Sequence, residues 1–143
     1  MSKSQCTDKT QFDGEVADYY QTMFENDYHP DGPWKKMVEV AKEAVRILDL
    51  ATGPGEPANL IARELPKAQV FATDVSRDMV DRAKLLMQDL KTIEYRIVDM
   101  QDLSSLAPVA NAAPEEHFDV VTCCYGYMFP EENRSRYGKP GAC

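Results

Sequence analysis

Short apolar runs alternate with stretches of helical periodicity along most of the chain. Helical spacing of apolar residues predicts helices over 12–26, 34–44, 57–64 and 77–90. Nearly continuous apolar runs predict buried strands over 45–50, 69–73, 93–98 and 118–124. Strands that alternate with helices are typical of βαβ units, so the pattern predicts an α/β fold with a parallel sheet.

The handedness of the connections predicts the order of the strands. Right-handed crossovers place the second and third strands on one side of the first strand and the fourth on the other. This gives a Rossmann-like, doubly wound sheet of order 3-2-1-4, with a ligand crevice where the order reverses. We expect this core to span residues 45–128, after an N-terminal helical lid segment (1–44) and before a polar tail (129–143).

Composition and charge disfavour several classes of protein. The 143 residues carry a net charge of -8 with scattered basic residues, so we expect no nucleic-acid partner. No apolar run approaches the roughly 20 residues of a membrane span, and the polar start does not resemble a secretory signal. The four cysteines lack zinc-type or redox spacing, which favours free thiols in a reducing, cytoplasmic compartment.

Three aspartates stand at the carboxyl ends of the first three predicted strands. They are Asp49, Asp74 and Asp99. Because the carboxyl ends of parallel strands meet at one edge of the sheet, the three carboxylates are expected to line the crevice. The sequence offers no committed general base, so catalytic residues stay unassigned.

A glycine turn follows the first strand directly and admits two interpretations. Gly53-x-Gly55-x-x-Ala58, with Asp74 further on, fits a dinucleotide fingerprint. However, Pro54 and Pro57 each remove a backbone N–H that a pyrophosphate needs. An acidic strand end also suits the ammonium and sulfonium of S-adenosylmethionine better than it suits phosphates. The turn therefore favours S-adenosylmethionine over a nicotinamide cofactor, which stays the less favoured alternative.

Four motifs in order resemble those of class I S-adenosylmethionine-dependent methyltransferases, within the small-molecule group of ubiquinone and menaquinone C-methyltransferases. They are ILDLATGPG (47–55), FATDVSRDM (71–79), DM (99–100) and FDVV (118–121). The resemblance covers about residues 44–128. It implies a Rossmann-like fold, S-adenosyl-L-methionine as cofactor and methyl transfer to a small-molecule acceptor.

The resemblance also implies roles for single residues at the adenosine end of the cofactor. Asp74 is expected to accept hydrogen bonds from both ribose hydroxyls, and Asp99 one from the adenine amine. The backbone of Met100 is expected to meet the ring edge, between Val75 and Met79.

At the methionine end, the resemblance implies backbone contacts and one carboxylate. The contacts come from Ala51, Gly53 and Cys123, Asp49 orients the ammonium, and Gly55 belongs to the same turn. Tyr19 and Tyr20 are expected to close over the cofactor, because an aromatic face attracts a sulfonium cation. Helical spacing also allows both tyrosines to be ordinary core residues.

The chain departs from the family pattern after the fourth strand. The family sheet has seven strands and this sequence predicts four, so the sequence predicts a truncated methyltransferase whose fourth strand is an exposed edge. Such an edge promotes self-association. Two functions stay open on this ground, an active enzyme and a binding or regulatory module without turnover.

Overall fold

The computed structural model describes residues 13–26, 32–106, 117–124 and 126. Within them it contains four α-helices, a 3-10 turn and four strands, which follow one another in the predicted order. They are α1 (Glu15–Asn26), α2 (Pro33–Ala41), β1 (Arg46–Asp49), α3 (Ala58–Glu64), β2 (Gln69–Asp74), α4 (Arg77–Leu86), β3 (Ile93–Ile97), the 3-10 turn (Leu103–Ser105) and β4 (Val120–Thr122). The predicted tail, 129–143, lies outside the described residues.

The sheet has the predicted order, β3-β2-β1-β4, and all its strand pairs are parallel. β1 therefore lies in the middle, and its last residue, Asp49, is paired with Ala72 of β2 and Thr122 of β4. The prediction of an α/β doubly wound sheet is confirmed. The point at which the strand order reverses lies between β1 and β4.

Both faces of the sheet bury apolar side chains, as a parallel sheet requires. On one face Ile47 and Val70 pack with helix residues such as Ala41 and Ile61. On the other face Leu48 and Phe71 pack with Val98, Leu106 and Phe118. Since neighbouring residues of β1 serve opposite faces, both cores meet at the strand that carries the glycine turn.

Helix α2 belongs to this core through its own side chains. Trp34 is 7% exposed and Ala41 is fully buried. Met37 and Val38 pack against the same cluster as Ile47. The second helix of the N-terminal segment is therefore built into the body of the fold.

The ends of several elements differ from their predicted bounds. Helix α4 ends at Leu86, and Leu86 is 50% exposed although its spacing predicts a buried position. Val45 precedes β1 and is exposed, and its backbone N–H donates to the Asp119 carboxylate before the strand begins. Cys123 follows β4, where the pattern predicts a strand residue.

Candidate cofactor site

The three aspartates lie at the same edge of the sheet, as their positions predict. Asp49 is the last residue of β1, Asp74 is the last residue of β2, and Asp99 follows β3 by two residues. The backbone N–H of Val98 donates to the Asp74 carbonyl at 2.9 Å, which keeps β2 and β3 together up to this edge. The crevice thus has a rim of carboxylates.

Asp49 is a fully buried carboxylate at the centre of this edge. The Thr122 hydroxyl donates a hydrogen bond of 2.5 Å to Asp49 Oδ1. Asp49 Oδ2 is buried and has no hydrogen-bond partner among the residues that the structure describes. A buried acceptor without a donor is costly, so this oxygen marks a place where a donor is missing.

Burial raises the pKa of Asp49 to about 7. The hydroxyls of Thr122 and Thr52 lower this pKa, while the nearby negative charges of Asp74 and Glu56 raise it further. The Thr52 hydroxyl is also buried and, within the described part of the chain, makes no hydrogen bond of normal geometry. The site therefore holds an acid that titrates near neutrality beside a second unsatisfied polar group.

The turn after β1 depends on a left-handed backbone at three positions. The φ angles are 53° at Ala51, 58° at Gly53 and 123° at Gly55. Residues with a side chain rarely adopt positive φ, so Ala51 is an exception that the fold must hold in place. At Gly55 a side chain is also excluded by space, because a Cβ there would lie 2.3 Å from Asn59 Nδ2.

Asp74 ties the glycine turn to the start of α4. Its Oδ2 accepts the Gly53 N–H at 2.8 Å, and its Oδ1 accepts the Ser76 N–H at 2.9 Å. Burial raises the pKa of Asp74, although these backbone N–H groups oppose the rise. Ser76 caps α4 by accepting the Met79 N–H. The Val75 N–H also bonds this carboxylate, which has about four acceptor positions and so retains capacity for a further donor.

The predicted adenine-side residues lie on the loops after β2 and β3. Met79 is 3% exposed on the first turn of α4, and Val75 precedes the cap residue of that helix. Asp99 Oδ1 accepts the Gln101 N–H at 3.0 Å, which forms a local turn.

Gly126 brings three predicted residues together. A Cβ on Gly126 would lie 2.1 Å from the Ala51 Cβ, 3.3 Å from Cys123 Sγ and 3.5 Å from Met100 Sδ. The loops after β1, β3 and β4 therefore meet at one point, and they can do so because residue 126 has no side chain. Sequence reasoning missed Gly126, since it lies in no motif.

Three further residues at this edge were also missed. Thr52 lies within the turn, and Thr122 is paired with Asp49 across β1 and β4, a pairing that the predicted strand order implied. Trp34 reaches the loop after β4. Burial raises the pKa of Cys124, the Trp34 indole lowers it, and the Asp49 charge raises it again. The single tryptophan of the chain thus contacts Cys124 in the loop after β4.

Tyr19 and Tyr20 lie on α1 and contact each other edge to face, with ring centroids 5.8 Å apart. Tyr19 is 67% exposed, so the interpretation of Tyr19 as a core residue is wrong. Burial raises the pKa of Tyr20, and the Tyr19 hydroxyl adds to the rise. Their predicted contact with a cofactor stays a prediction.

Residues 47–139 match the protein family described as a methyltransferase domain. This match covers the glycine turn, the three aspartates and the loop after β4. The chain belongs to the class I methyltransferases. The predicted resemblance is thereby confirmed for this methyltransferase.

Curated relatives of this methyltransferase act on different acceptors. It is 36% identical over 102 residues to the ubiquinone/menaquinone biosynthesis C-methyltransferase of Desulfotalea psychrophila, covering 68% of this chain and 37% of that protein. It is 36% identical over 86 residues to the release factor glutamine methyltransferase of Rhodopirellula baltica, covering 60% of this chain and 27% of that protein. The chain thus spans well under half the length of these two relatives.

A solved structure agrees in fold. The magnesium protoporphyrin IX methyltransferase of Synechocystis, determined with S-adenosylmethionine bound, superposes with a TM-score of 0.64 at 18% identity. The superposition covers 94% of this chain and 70% of that one. Within the described residues, no helix of the methyltransferase combines the length and the apolar character of a membrane span.

Proposed function

We propose that this methyltransferase binds S-adenosyl-L-methionine at the carboxyl edge of its sheet and transfers the methyl group to a small-molecule acceptor. The observation that carries the proposal is Asp49, a buried carboxylate with one unsatisfied oxygen beside the glycine turn. An ammonium group supplies the missing donor and the missing positive charge together. A pyrophosphate supplies neither, so the oxidoreductase alternative fits this edge poorly.

The proposed roles follow the positions of the residues around that carboxylate. Asp74 is a buried carboxylate at the end of β2 with acceptor capacity left over, which suits a ribose hydroxyl. The other proposed adenosine contacts come from Val75, Met79, Asp99 and Met100.

The methionine end of the cofactor is proposed to lie against the backbone of Ala51, Gly53, Gly55 and Cys123. Three of these residues have positive φ, which turns the backbone sharply after β1. Tyr19 and Tyr20 are proposed to cover the sulfonium from α1, the exposed part of the lid segment.

The bound cofactor supplies an electrophilic methyl group, so the protein mainly has to align the acceptor and exclude water. Asp49 would hold the ammonium, and Asp74 would fix the rotation of the ribose. Both carboxylates lie on rigid strand ends, which suits a reaction whose rate depends on alignment.

Localisation and self-association belong to the same proposal. The free thiol of Cys124 agrees with a reducing cytoplasm. Among the described strands, β4 is bonded to β1 on one side, and Val121 is 44% exposed. An edge of this kind supports pairing with a second copy of the chain.

Calorimetry with S-adenosylmethionine, S-adenosylhomocysteine and NAD in turn tests the proposal. We expect both sulfur ligands to bind and NAD to give no heat. A panel of quinol, phenol and amine acceptors then tests turnover. Tight NAD binding without a response to the sulfur ligands would overturn the proposal that the cofactor is S-adenosylmethionine. Binding of the sulfur ligands without any turnover would favour a regulatory module.

A further inference from the structure

Helix α1 is attached to α4 by a row of polar contacts. The Ser76 hydroxyl donates a short hydrogen bond to Asp13, and the Gly14 N–H donates to Asp78 Oδ2 at 2.8 Å. One turn further along, Arg82 Nη1 lies 2.6 Å from Asp18 Oδ1. It also donates to Gln21 Oε1 at 3.1 Å. These contacts define a clasp between Asp13, Gly14, Asp18 and Gln21 on one side and Ser76, Asp78 and Arg82 on the other.

The apolar stripe of α1 contributes little to this attachment. Helical spacing places Val16, Tyr19, Tyr20 and Met23 on one stripe of the helix. Val16 and Tyr19 are 39% and 67% exposed and the other two are only half-buried, whereas Ala17 is fully buried. The helix therefore packs against α4 through its polar side, while the small residue Ala17 is buried. Contacts between partly exposed polar groups are weak one by one and are screened by salt. Such a helix can separate from α4 without exposing a large apolar core.

The clasp continues without a break to the proposed ribose carboxylate. Ser76, which bonds Asp13 through its hydroxyl, donates its backbone N–H to Asp74 Oδ1. Asp74 in turn holds the Gly53 N–H. The Asp13 charge is close enough to raise the pKa of Asp74. The contacts that hold α1 against α4 and the proposed ribose site are thus linked through Ser76 and Asp74.

We propose that Asp13 and Arg82 are positioning residues that couple the seating of α1 to cofactor binding at Asp74. The inference rests on the proposed function, because it takes Asp74 as the ribose ligand. A cofactor that holds Asp74 in place also holds Ser76 in place. Through the Ser76 hydroxyl it then holds Asp13, which lies just before α1. Coupling of this kind is reciprocal. If the cofactor stabilises the contact of α1 with α4 by a certain factor, loss of that contact lowers the affinity for the cofactor by the same factor.

Two measurements on the full chain test the coupling. Hydrogen exchange of the α1 amides, with and without S-adenosylhomocysteine, reports how far the ligand stabilises the seated helix. Calorimetry reports the affinity. In Asp13→Ala and Arg82→Gln we expect the affinity to fall about fivefold or more, and the ligand-dependent protection of α1 to fall by the same factor. Asp13→Asn keeps an acceptor for Ser76 and should lose less.

Matched controls separate this coupling from general damage. Lys84→Gln removes one positive charge from the exposed side of α4, the helix that carries Arg82. This variant should change neither the affinity nor the protection of α1. Protection of the α4 amides should persist in all variants, because Ser76 still caps Met79. Unchanged affinity in Asp13→Ala and Arg82→Gln, or lost affinity with the α1 protection intact, overturns the coupling alone. A wild-type chain that binds neither sulfur ligand overturns the proposed function and the coupling together.

Discussion

Asp49 makes cofactor affinity depend on pH in a way that can be calculated. Its pKa is about 7 in the free protein, so half of the carboxyl groups are protonated at neutral pH. An ammonium binds the ionised form and lowers the pKa of that carboxylate by about 1–3 units. Affinity is therefore expected to fall about three- to fivefold from pH 7 to pH 6, and to fall again above about pH 8, where an α-amino group loses its proton.

The same reasoning fixes the direction and number of protons exchanged. At pH 6 about 0.4–0.9 proton should leave the protein for each S-adenosylhomocysteine bound, for a lowering of the Asp49 pKa by about 1–3 units, since Asp49 is mostly protonated before binding. Calorimetry at pH 6 in two buffers of different ionisation enthalpy measures this number directly. Asp49→Asn is the control and should release no proton in this range. Affinity that stays constant from pH 5.5 to 7, or proton uptake at pH 6, would refute the pairing of Asp49 with an ammonium.

Burial of Asp49 also predicts the stability of the free protein. A carboxyl whose folded pKa is raised stabilises the fold below its unfolded pKa of about 4, and this contribution disappears as the pH rises through 7. Asp49→Asn should therefore be more stable than wild type at pH 8, by up to about 4 kcal/mol in the free energy of unfolding, and should melt at a higher temperature. At pH 4 the gain in stability should be much smaller. Thermal melts of the free protein at the two pH values measure the difference, and equal melting temperatures at pH 8 would contradict it.

Three further substitutions test the site and the sheet edge. Asp74→Ala should weaken S-adenosylhomocysteine binding about a hundredfold or more, from two lost hydrogen bonds of about 1.5–3 kcal/mol each. Asp119→Asn alters a carboxylate that also holds two backbone N–H groups and should leave affinity unchanged by calorimetry. Gly53→Val should abolish binding and lower the melting temperature, since φ is 58° there, and a folded variant with normal affinity would contradict the placement of the turn. Val121→Lys should reduce the oligomers seen by light scattering if β4 mediates association, and an unchanged size distribution would exclude that edge.

The fold was accessible to sequence reasoning because its signals are local. Buried parallel strands produce continuous apolar runs, and the handedness of the crossovers orders them, so the order 3-2-1-4 required no knowledge of contacts. The three strand-end aspartates followed from the same reasoning. Helix ends were less accurate, since periodicity continues past Leu86 although the helix stops there.

What sequence reasoning missed depends on contacts between distant residues. The sequence predicts Asp74 only as a ribose ligand, yet Asp74 also closes the glycine turn by accepting the Gly53 N–H. Gly126 matters only because Ala51 lies against it. The stripe of Val16 and Tyr19 predicted the face that α1 would bury, but ionic partners on α4 turned another face inward. None of these preferences is visible in a local pattern.

The pairing of Asp49 with Thr122 has a consequence for how the sheet assembles. β4 is only three residues long, so apolar contacts alone discriminate poorly between alternative alignments with β1. A shift by one residue would place Val121 beside Asp49 and leave the buried carboxylate without its hydroxyl donor. That misaligned sheet would carry an unsolvated, unpaired acid, which is strongly unfavourable. The acid proposed to hold the cofactor therefore also selects the correct alignment of the strand beside it.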